Sequence, residues 1–353
     1  MTFDRSYPTV GRAPAWGRAD VVGLFLVTGL AGWIVLSAAL SDGSRVGPIG
    51  TVAAAALAFF LARLIARRWA RAIPLGVVLV LVVLGAWAWT DLFDRDPLGG
   101  PLGYQNANAA LFVQAFVASL LLVATTSGGK RIVAATVTTL LAASLIVIGS
   151  TASIALAAGV GAAGTIALVA HRRVGLTAVI VAGLLLSLVA TIALGAMYTP
   201  RSGDPVGGSF ARSSTEMRLA LWHDALALID EHPIVGIGPG RFAEESRVAA
   251  SDPDTRHTHH EFLQIAAETG VIGGVLLAAL FVWAIARTGL GLSPAGGIAA
   301  AGVAALGIHS CVDYVLHFPL VPIASAVLVG AASFHAPARS TRKDTDALSS
   351  RDD

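Results

Sequence analysis

Three imidazoles stand within four residues, at His257, His259 and His260, and Glu261, Gln264 and Glu268 follow them. On helical spacing His257, Glu261, Gln264 and Glu268 fall at i, i+4, i+7 and i+11 and share one face. An imidazole beside carboxylates that orient it is the usual equipment of a general base near neutral pH. Zinc is the rival chemistry. A zinc helix of the H-E-x-x-H kind needs its second histidine at 264, where this chain has glutamine. Other ligand sets, such as His257, His259 and Asp254, stay open on geometry. Upstream lies G-I-G-P-G-R-F, residues 236–242, whose alternate glycines let backbone amides approach an anion while Arg241 adds a bidentate contact. The same pattern also describes a plain tight turn. A nucleotide loop is excluded, since no Lys-Ser/Thr follows the glycines and no parallel-sheet pattern surrounds them.

These groups sit in an apolar chain. Of its 353 residues 55% are hydrophobic and 13% charged, with a mean hydropathy of +0.74. An ordinary soluble domain, at about 45–50% apolar, is excluded. Runs of 18 or more uncharged residues predict ten membrane-spanning helices, because roughly 20 helical residues cross the hydrocarbon. They fall at roughly 21–40, 48–65, 73–90, 106–125, 132–149, 151–170, 175–197, 268–286, 293–311 and 318–334. The sixth is rich in Gly and Ala, which suits close helix contact better than lipid exposure. The expected fold is therefore all-α and polytopic. A tail (1–20) is followed by seven spans (21–197), a long loop (198–267), three spans (268–334) and a disordered tail (335–353).

Basic residues set the expected orientation. With a cytoplasmic N-terminus the inner segments hold 16 of the 24 Lys and Arg, and the short outer loops hold only Arg45 and Arg95. The other six lie in the long loop, which is too long to obey the positive-inside rule. Both termini are thus expected in the cytoplasm and the long loop outside, with the first span acting as a signal anchor. The net charge of +2 gives no reason to invoke nucleic acid. Cys311 stands alone, so no intramolecular disulfide is available, and it reads as a small packing residue. In the loop a helix is expected from Ser213, with Glu216 at capping-box spacing and Met217, Leu221, Ala225 and Leu228 as an apolar stripe. Arg218 and Trp222 are one turn apart, so the indole could stack on the guanidinium. The helix could equally lie on the bilayer, with Trp222 in the aromatic belt.

Taken together these motifs resemble the O-antigen ligase and O-antigen polymerase superfamily. The resemblance rests on the large loop before the last spans and on the R-x-x-x-W helix followed by H-P-I-V-G-I-G-P-G-R-F. It rests further on a His, one residue, nine residues and G-x-x-G, matched here by His259, His260, 261–269, Gly270 and Gly273. N-A-N-A-A-L at 106–111 and H-S-C-V-D-Y-V-L-H-F-P at 309–319 support it. It implies an inverting, metal-independent glycosyltransferase without cofactor, in the cell (cytoplasmic) membrane. Its partners would be a polyprenyl-diphosphate-linked glycan donor, a glycan or glycolipid acceptor, the bilayer, and other polysaccharide assembly proteins.

By that resemblance His259 is the catalytic base, with the unusual His260 beside it as the other candidate. Arg218, Arg241 and Arg212 are the implied diphosphate contacts. Asn106, Asn108, Gln264 and Glu268 would hold sugar hydroxyls or the base, and Asp313 would bear on the site along with His309 and His317. Two other classes compete: a lipid-linked glycan or solute transporter, and an inactive scaffold of a polysaccharide export complex. A carrier should place charge at mid-span, whereas the polar groups here collect at one face.

Overall fold

The computed structural model describes residues 17–41, 47–88, 91, 99–169, 173–197, 214–251, 255–290 and 293–333. The two tails, Arg45, Arg95, Arg212, Ser213 and Asp254 all lie outside these residues. The described chain is helical: α1 (Arg18–Leu40), α2 (Gly47–Trp69), α3 (Ala72–Trp87), α4 (Gln105–Thr125), α5 (Gly128–Ile148), α6 (Thr151–Val169) and α7 (Arg173–Met197) come first. Then follow α8 (Ser214–Glu231), the single turns α9 (Phe242–Glu245) and α10 (Arg247–Ala250), α11 (Glu261–Gly289), α12 (Pro294–Ser310), a 3-10 turn (Val315–His317) and α13 (Leu320–Ala332). Each of the ten apolar runs is a helix. By length and composition seven of them can cross a membrane, and α3, α12 and α13 are shorter apolar helices. The chain is an all-helical, polytopic membrane protein.

Two helices form the centre. Along α4 every residue from Ala107 to Ser119 is buried, and α12 is buried over nearly its whole length. The sequence of α12, P-A-G-G-I-A-A-A-G-V-A-A-L-G-I-H-S, explains this: small side chains admit neighbours from all sides. It starts cleanly, with Pro294 in its first turn and the Ser293 hydroxyl accepting the Gly296 amide at 3.1 Å. The Gly/Ala-rich α6 packs on it as expected, and a Cβ added at Gly297 would stand 2.8 Å from that of Ala167. By contrast α3 presents Leu79, Val83 and Trp87 outward, the faces that meet lipid.

The long loop folds back on the bundle. Leu221, Ala225 and Leu228 of α8 are buried together with Trp222, Ile237, Phe242, Leu263 and Ala267. This corrects the bilayer-lying reading of α8: Trp222 is 5% exposed, and its ring packs edge-on against His260 at 5.5 Å. The expected stacking of Trp222 on Arg218 is not among the ring contacts of the described residues.

Candidate functional site

Local backbone chemistry separates the two adjacent histidines. The Thr258 hydroxyl donates to the His260 carbonyl at 2.7 Å and accepts the His260 amide at 3.0 Å, closing a tight turn around residue 259. His259 is thereby held at φ +52, the one non-glycine residue with positive φ among those described. A left-handed residue with a side chain costs about 1–2 kcal/mol. Thr258 and His260 on either side are fully buried, so the turn sends His259 the other way, toward Asp313.

His260 caps α11. Its Nδ1 accepts the Leu263 amide at 3.2 Å, and its Nε2 lies 2.9 Å from the Thr191 hydroxyl on α7. That hydroxyl already donates to the Ser187 carbonyl at 2.8 Å, so it accepts from Nε2–H. Both ring nitrogens are committed to the neutral tautomer. Burial pushes the His260 pKa down to about 3.

His259 is partly exposed, with Nδ1 3.1 Å from Asp313 Oδ1. Asp313, 1% exposed, also accepts from the Tyr104 hydroxyl at 2.9 Å, from the Asn106 side-chain amide and from the Tyr314 amide at 2.8 Å. Burial alone would raise its pKa. The hydrogen bond and charge of His259, the nearby His309 and the Tyr314 amide outweigh burial and hold it below the usual carboxylate range. An ionised carboxylate only accepts, so His259 Nδ1 is the donor, and in the neutral ring Nε2 carries the lone pair. Burial and the Asp313 charge push the Tyr104 phenol far above its ordinary range, so it stays a donor. Tyr104 was not among the residues expected from the sequence.

Arg218, on α8, reaches the same carboxylate: its Nη2 is 3.9 Å from Asp313 Oδ2, beyond hydrogen-bond range. Its Nε is buried without a partner, as is Trp222 Nε1 one turn on. Among the described residues no hydrogen bond engages the guanidinium, which pairs with Asp313 by charge alone. His309, buried beneath this group, likewise has an unpartnered Nε2. Arg241 is placed differently. It pairs with Glu245 one turn along and donates to the carbonyls of Ser41 and Ile237, both at 3.2 Å.

The glycine-rich turn is a joint. The amides of Ile237 and Gly238 donate to the carbonyls of Ala267 and Glu268, and that of Gly240 to the Glu268 carboxylate at 2.8 Å. Of these amides the one that meets a carboxyl is that of Gly240, and the carboxyl is the chain's own Glu268. Gly270, φ +74, kinks α11 here, and a Cβ on it would stand 1.8 Å from the Ile234 carbonyl oxygen. Trp33 and Ser37 of α1 clamp the joint through the carbonyls of Thr269 and Val235, both at 2.7 Å.

A second polar cluster adjoins the first. Gln264 Nε2 lies 3.2 Å from His257 Nδ1, 3.1 Å from Glu268 and 3.4 Å from His317 Nε2. His317 Nδ1 is 3.1 Å from Glu261. Burial would lower the His317 pKa, but the Glu261 charge and hydrogen bond raise it to about 9. Burial, then the neighbouring His317 charge, lowers that of His257 to about 3. Tyr314 separates the clusters, its ring stacked on His257 at 4.5 Å and edge-on to His259 at 4.8 Å. A cavity of about 630 Å³ opens on the second cluster; His257, Gln264, Glu268 and His317 line it, and His259, Asp313 and Arg218 do not.

The structure thus gathers His259, Asp313, Asn106 and Arg218 in one group and Gln264 and Glu268 in the next. Asn108 belongs to neither: it ties the loop before α4, donating to Gly99 and accepting from Leu102. Arg212 is outside the described residues. No three His, Cys, Asp or Glu among the described residues are arranged to hold a metal ion.

Comparison with curated proteins gave no match. The family model described as O-antigen ligase matches residues 137–278, about two fifths of the chain. That segment runs from within α5 into α11 and holds Arg218, Arg241, His257, His259 and His260, while Asn106, Tyr104 and Asp313 lie outside it. The match over residues 137–278 supports the resemblance of this multi-pass membrane protein to the O-antigen ligase and polymerase superfamily.

Proposed function

We propose that the protein is an inverting glycosyltransferase of the cytoplasmic membrane that moves glycan from a polyprenyl-diphosphate carrier to an acceptor hydroxyl, with His259 as general base. The observation that carries this reading is the His259–Asp313 pair, which leaves Nε2 as a basic nitrogen with no hydrogen bond among the described residues. As the acceptor oxygen bonds to the anomeric carbon from the face opposite the diphosphate, its proton passes to Nε2. The anomeric C–O bond breaks with its electron pair on the departing diphosphate. Asp313 balances the new imidazolium charge and fixes the tautomer. Arg218, whose guanidinium makes no hydrogen bond among the described residues, meets the charge growing on the leaving group. His260 is a positioning residue that holds the start of α11 and the turn carrying His259.

The positive-inside bias supports a site on the outer face. Cys311 is buried, so a cysteine introduced at Ser251 would report on an almost silent background. It should react with a membrane-impermeant maleimide in intact cells, and protection there would reverse the orientation.

The test of the chemistry is turnover of a lipid-linked glycan by purified protein, wild type against His259→Ala, with polyprenyl-linked intermediates resolved beside the product. Transfer by the wild type alone supports the reading. Equal transfer by both removes His259 as base. Movement of lipid-linked glycan across vesicles without transfer would make the protein a transporter, and neither activity would leave the scaffold.

A further inference from the structure

The end of the bundle opposite His259 holds a charge cluster that the proposed reaction leaves aside. Asp20, near the start of α1, is 2% exposed and is shared by two guanidiniums. Arg63 of α2 reaches its Oδ2 through Nη2 at 2.9 Å, and Arg287 of α11 reaches its Oδ1 through Nε at 3.1 Å. The Gly17 amide also donates to Oδ2, at 3.0 Å. Arg287 engages only Nε. Its two Nη groups, the planar fork that suits a phosphate, make no hydrogen bond among the described residues, although the side chain is only 14% exposed. Asp20 is the one acid at this end among the described residues, whereas Arg18, Arg68, Lys130 and Arg131 stand there exposed. The positive-inside pattern makes this the cytoplasmic end.

Beyond Asp20 the packing opens. Helix α1 packs on α11 and α2 on α13, and a glycine draws each pair tight. A Cβ on Gly23 would stand 2.1 Å from the Trp283 ring, and one on Gly330 2.4 Å from the Phe59 carbonyl oxygen. Between the two pairs runs the cavity of about 630 Å³, and Asp20 and Gly23 line its inner end. From there the walls are apolar, with Leu24, Leu30, Phe60 and Val329 among them. Leu24 is also 43% exposed on the face that meets lipid, so the inner half of the cavity opens sideways into the bilayer. From Asp20 to Leu30 α1 rises about 15 Å, half the hydrocarbon thickness and the depth of one leaflet.

We propose that this inner half seats an anionic phospholipid of the cytoplasmic leaflet. Its phosphodiester lies on the Arg287 fork beside Asp20, and one acyl chain fills the seam between the two helix pairs. Charge selects the head. Among the described residues two arginines share one carboxylate, which leaves a surplus positive charge in a mostly buried place. A singly charged phosphodiester cancels that surplus, and a zwitterionic head, bringing its own ammonium, does not. Basic pockets between membrane helices on the cytoplasmic side are suited to such heads. A polyprenyl diphosphate reacting at His259 carries its charge at the opposite end, so it cannot occupy this head site while it reacts. Filling the seam, the phospholipid braces α1, whose Trp33 and Ser37 clamp the glycine joint farther along. The site stands without the glycosyl-transfer reading.

The experiment uses the full chain in phosphatidylcholine nanodiscs with phosphatidylglycerol carrying a mid-chain diazirine, irradiated and mapped by peptide mass spectrometry. Adducts should fall on inner-half cavity residues of α1, α2 and α13, and unlabelled phosphatidylglycerol should displace the probe. A phosphatidylcholine probe with the same chain should label these positions about tenfold less, as for one charge-assisted contact. Arg287→Gln should cost phosphatidylglycerol labelling about the same factor. Arg131→Gln, which removes an exposed charge at the same end, should change little. Ala56→Phe fills the seam without touching the charges and should also cut labelling about tenfold, as for roughly two methylenes denied burial. It carries the test if Arg287→Gln does not insert, and unchanged labelling in it would overturn the proposal. Equal labelling by the two probes, or adducts spread over the outward faces of α3 and α5, would mean unselected bulk lipid and overturn it as well. Displacement by a polyprenyl diphosphate but not by phosphatidylglycerol would give the seam to the donor's chain, with the same result.

Discussion

On one side of the Tyr314 ring a buried carboxylate is fully supplied with donors, while His259 Nε2 and the Arg218 guanidinium make no hydrogen bond among the described residues. On the other side His257, His317, Glu261, Gln264 and Glu268 pair with one another, and the opening they share leads into hydrocarbon-lined space. Both sides are built from the same residue types a few residues apart. What differs is which valences are spent. The first side keeps a base and a cation beside one carboxylate, while on the second the carboxylates are taken up by His317, Gln264 and backbone amides. Composition of a polar cluster is therefore a poor guide to its role, and the hydrogen-bond count is a better one.

The widest contrast is between histidines across that ring. His259→Ala should lower turnover by about 10²–10⁴-fold, the usual worth of a positioned base, with KM for the acceptor little changed. His257→Ala should leave kcat within a few-fold, because Tyr314 stands between its ring and the His259–Asp313 pair. Steady-state kinetics on a lipid-linked donor with varied acceptor measures both, and a matching collapse of kcat in His257→Ala would erase the distinction.

Next in size is the comparison of two arginines. Arg218→Ala should cost about 10–100-fold in kcat/KM, one charge-assisted contact, and Lys should restore little because a point charge cannot reproduce a bidentate fork. Arg241→Ala should leave kcat within a few-fold. Its partners are Glu245 and two carbonyls, half-exposed and within the chain, and such pairs contribute about 0–1 kcal/mol. Equal losses in the two variants would return Arg241 to the reacting groups.

The spans were legible because hydropathy is read along one dimension: all ten runs are helices, nine of them within about four residues of their expected ends, while α11 starts seven residues before the eighth run, at Glu261. The long loop was half legible. The apolar stripe of α8 was visible, but whether it met lipid or protein depended on Phe242 and Leu263, distant in sequence. The i+4 spacing of Arg241 and Glu245 is legible in the sequence, whereas the contact of the Gly240 amide with Glu268, 28 residues on, is not. The two adjacent histidines could not be told apart in the sequence, because what separates them is a backbone angle at 259 and a hydroxyl on α7, at Thr191. Tyr104 was invisible for a related reason: no spacing rule ties an aromatic before α4 to a carboxylate 209 residues away.

The smallest effects lie in stability, where the two histidine sets should slope oppositely with pH. His260 titrates near pH 3 in the fold and near 6.5 unfolded. Between those values the unfolded chain holds the extra proton, so this contribution is complete above about pH 6.5 and is lost as pH falls toward 3. One such group gives at most about 1.4 kcal/mol per pH unit. His317 is raised to about 9, so its contribution is complete below about 6.5 and is lost as pH climbs through 9. His260→Asn keeps a capping oxygen for α11 but does not titrate. It should flatten the acid limb of a thermal-inactivation profile without abolishing it, since His257 is also held neutral. His317→Gln should flatten the alkaline limb alone. If His260→Asn left the acid limb as steep as wild type, the buried cap would not be a neutral imidazole. The argument that tells His260 from His259 would then lose its electrostatic half and rest on geometry only.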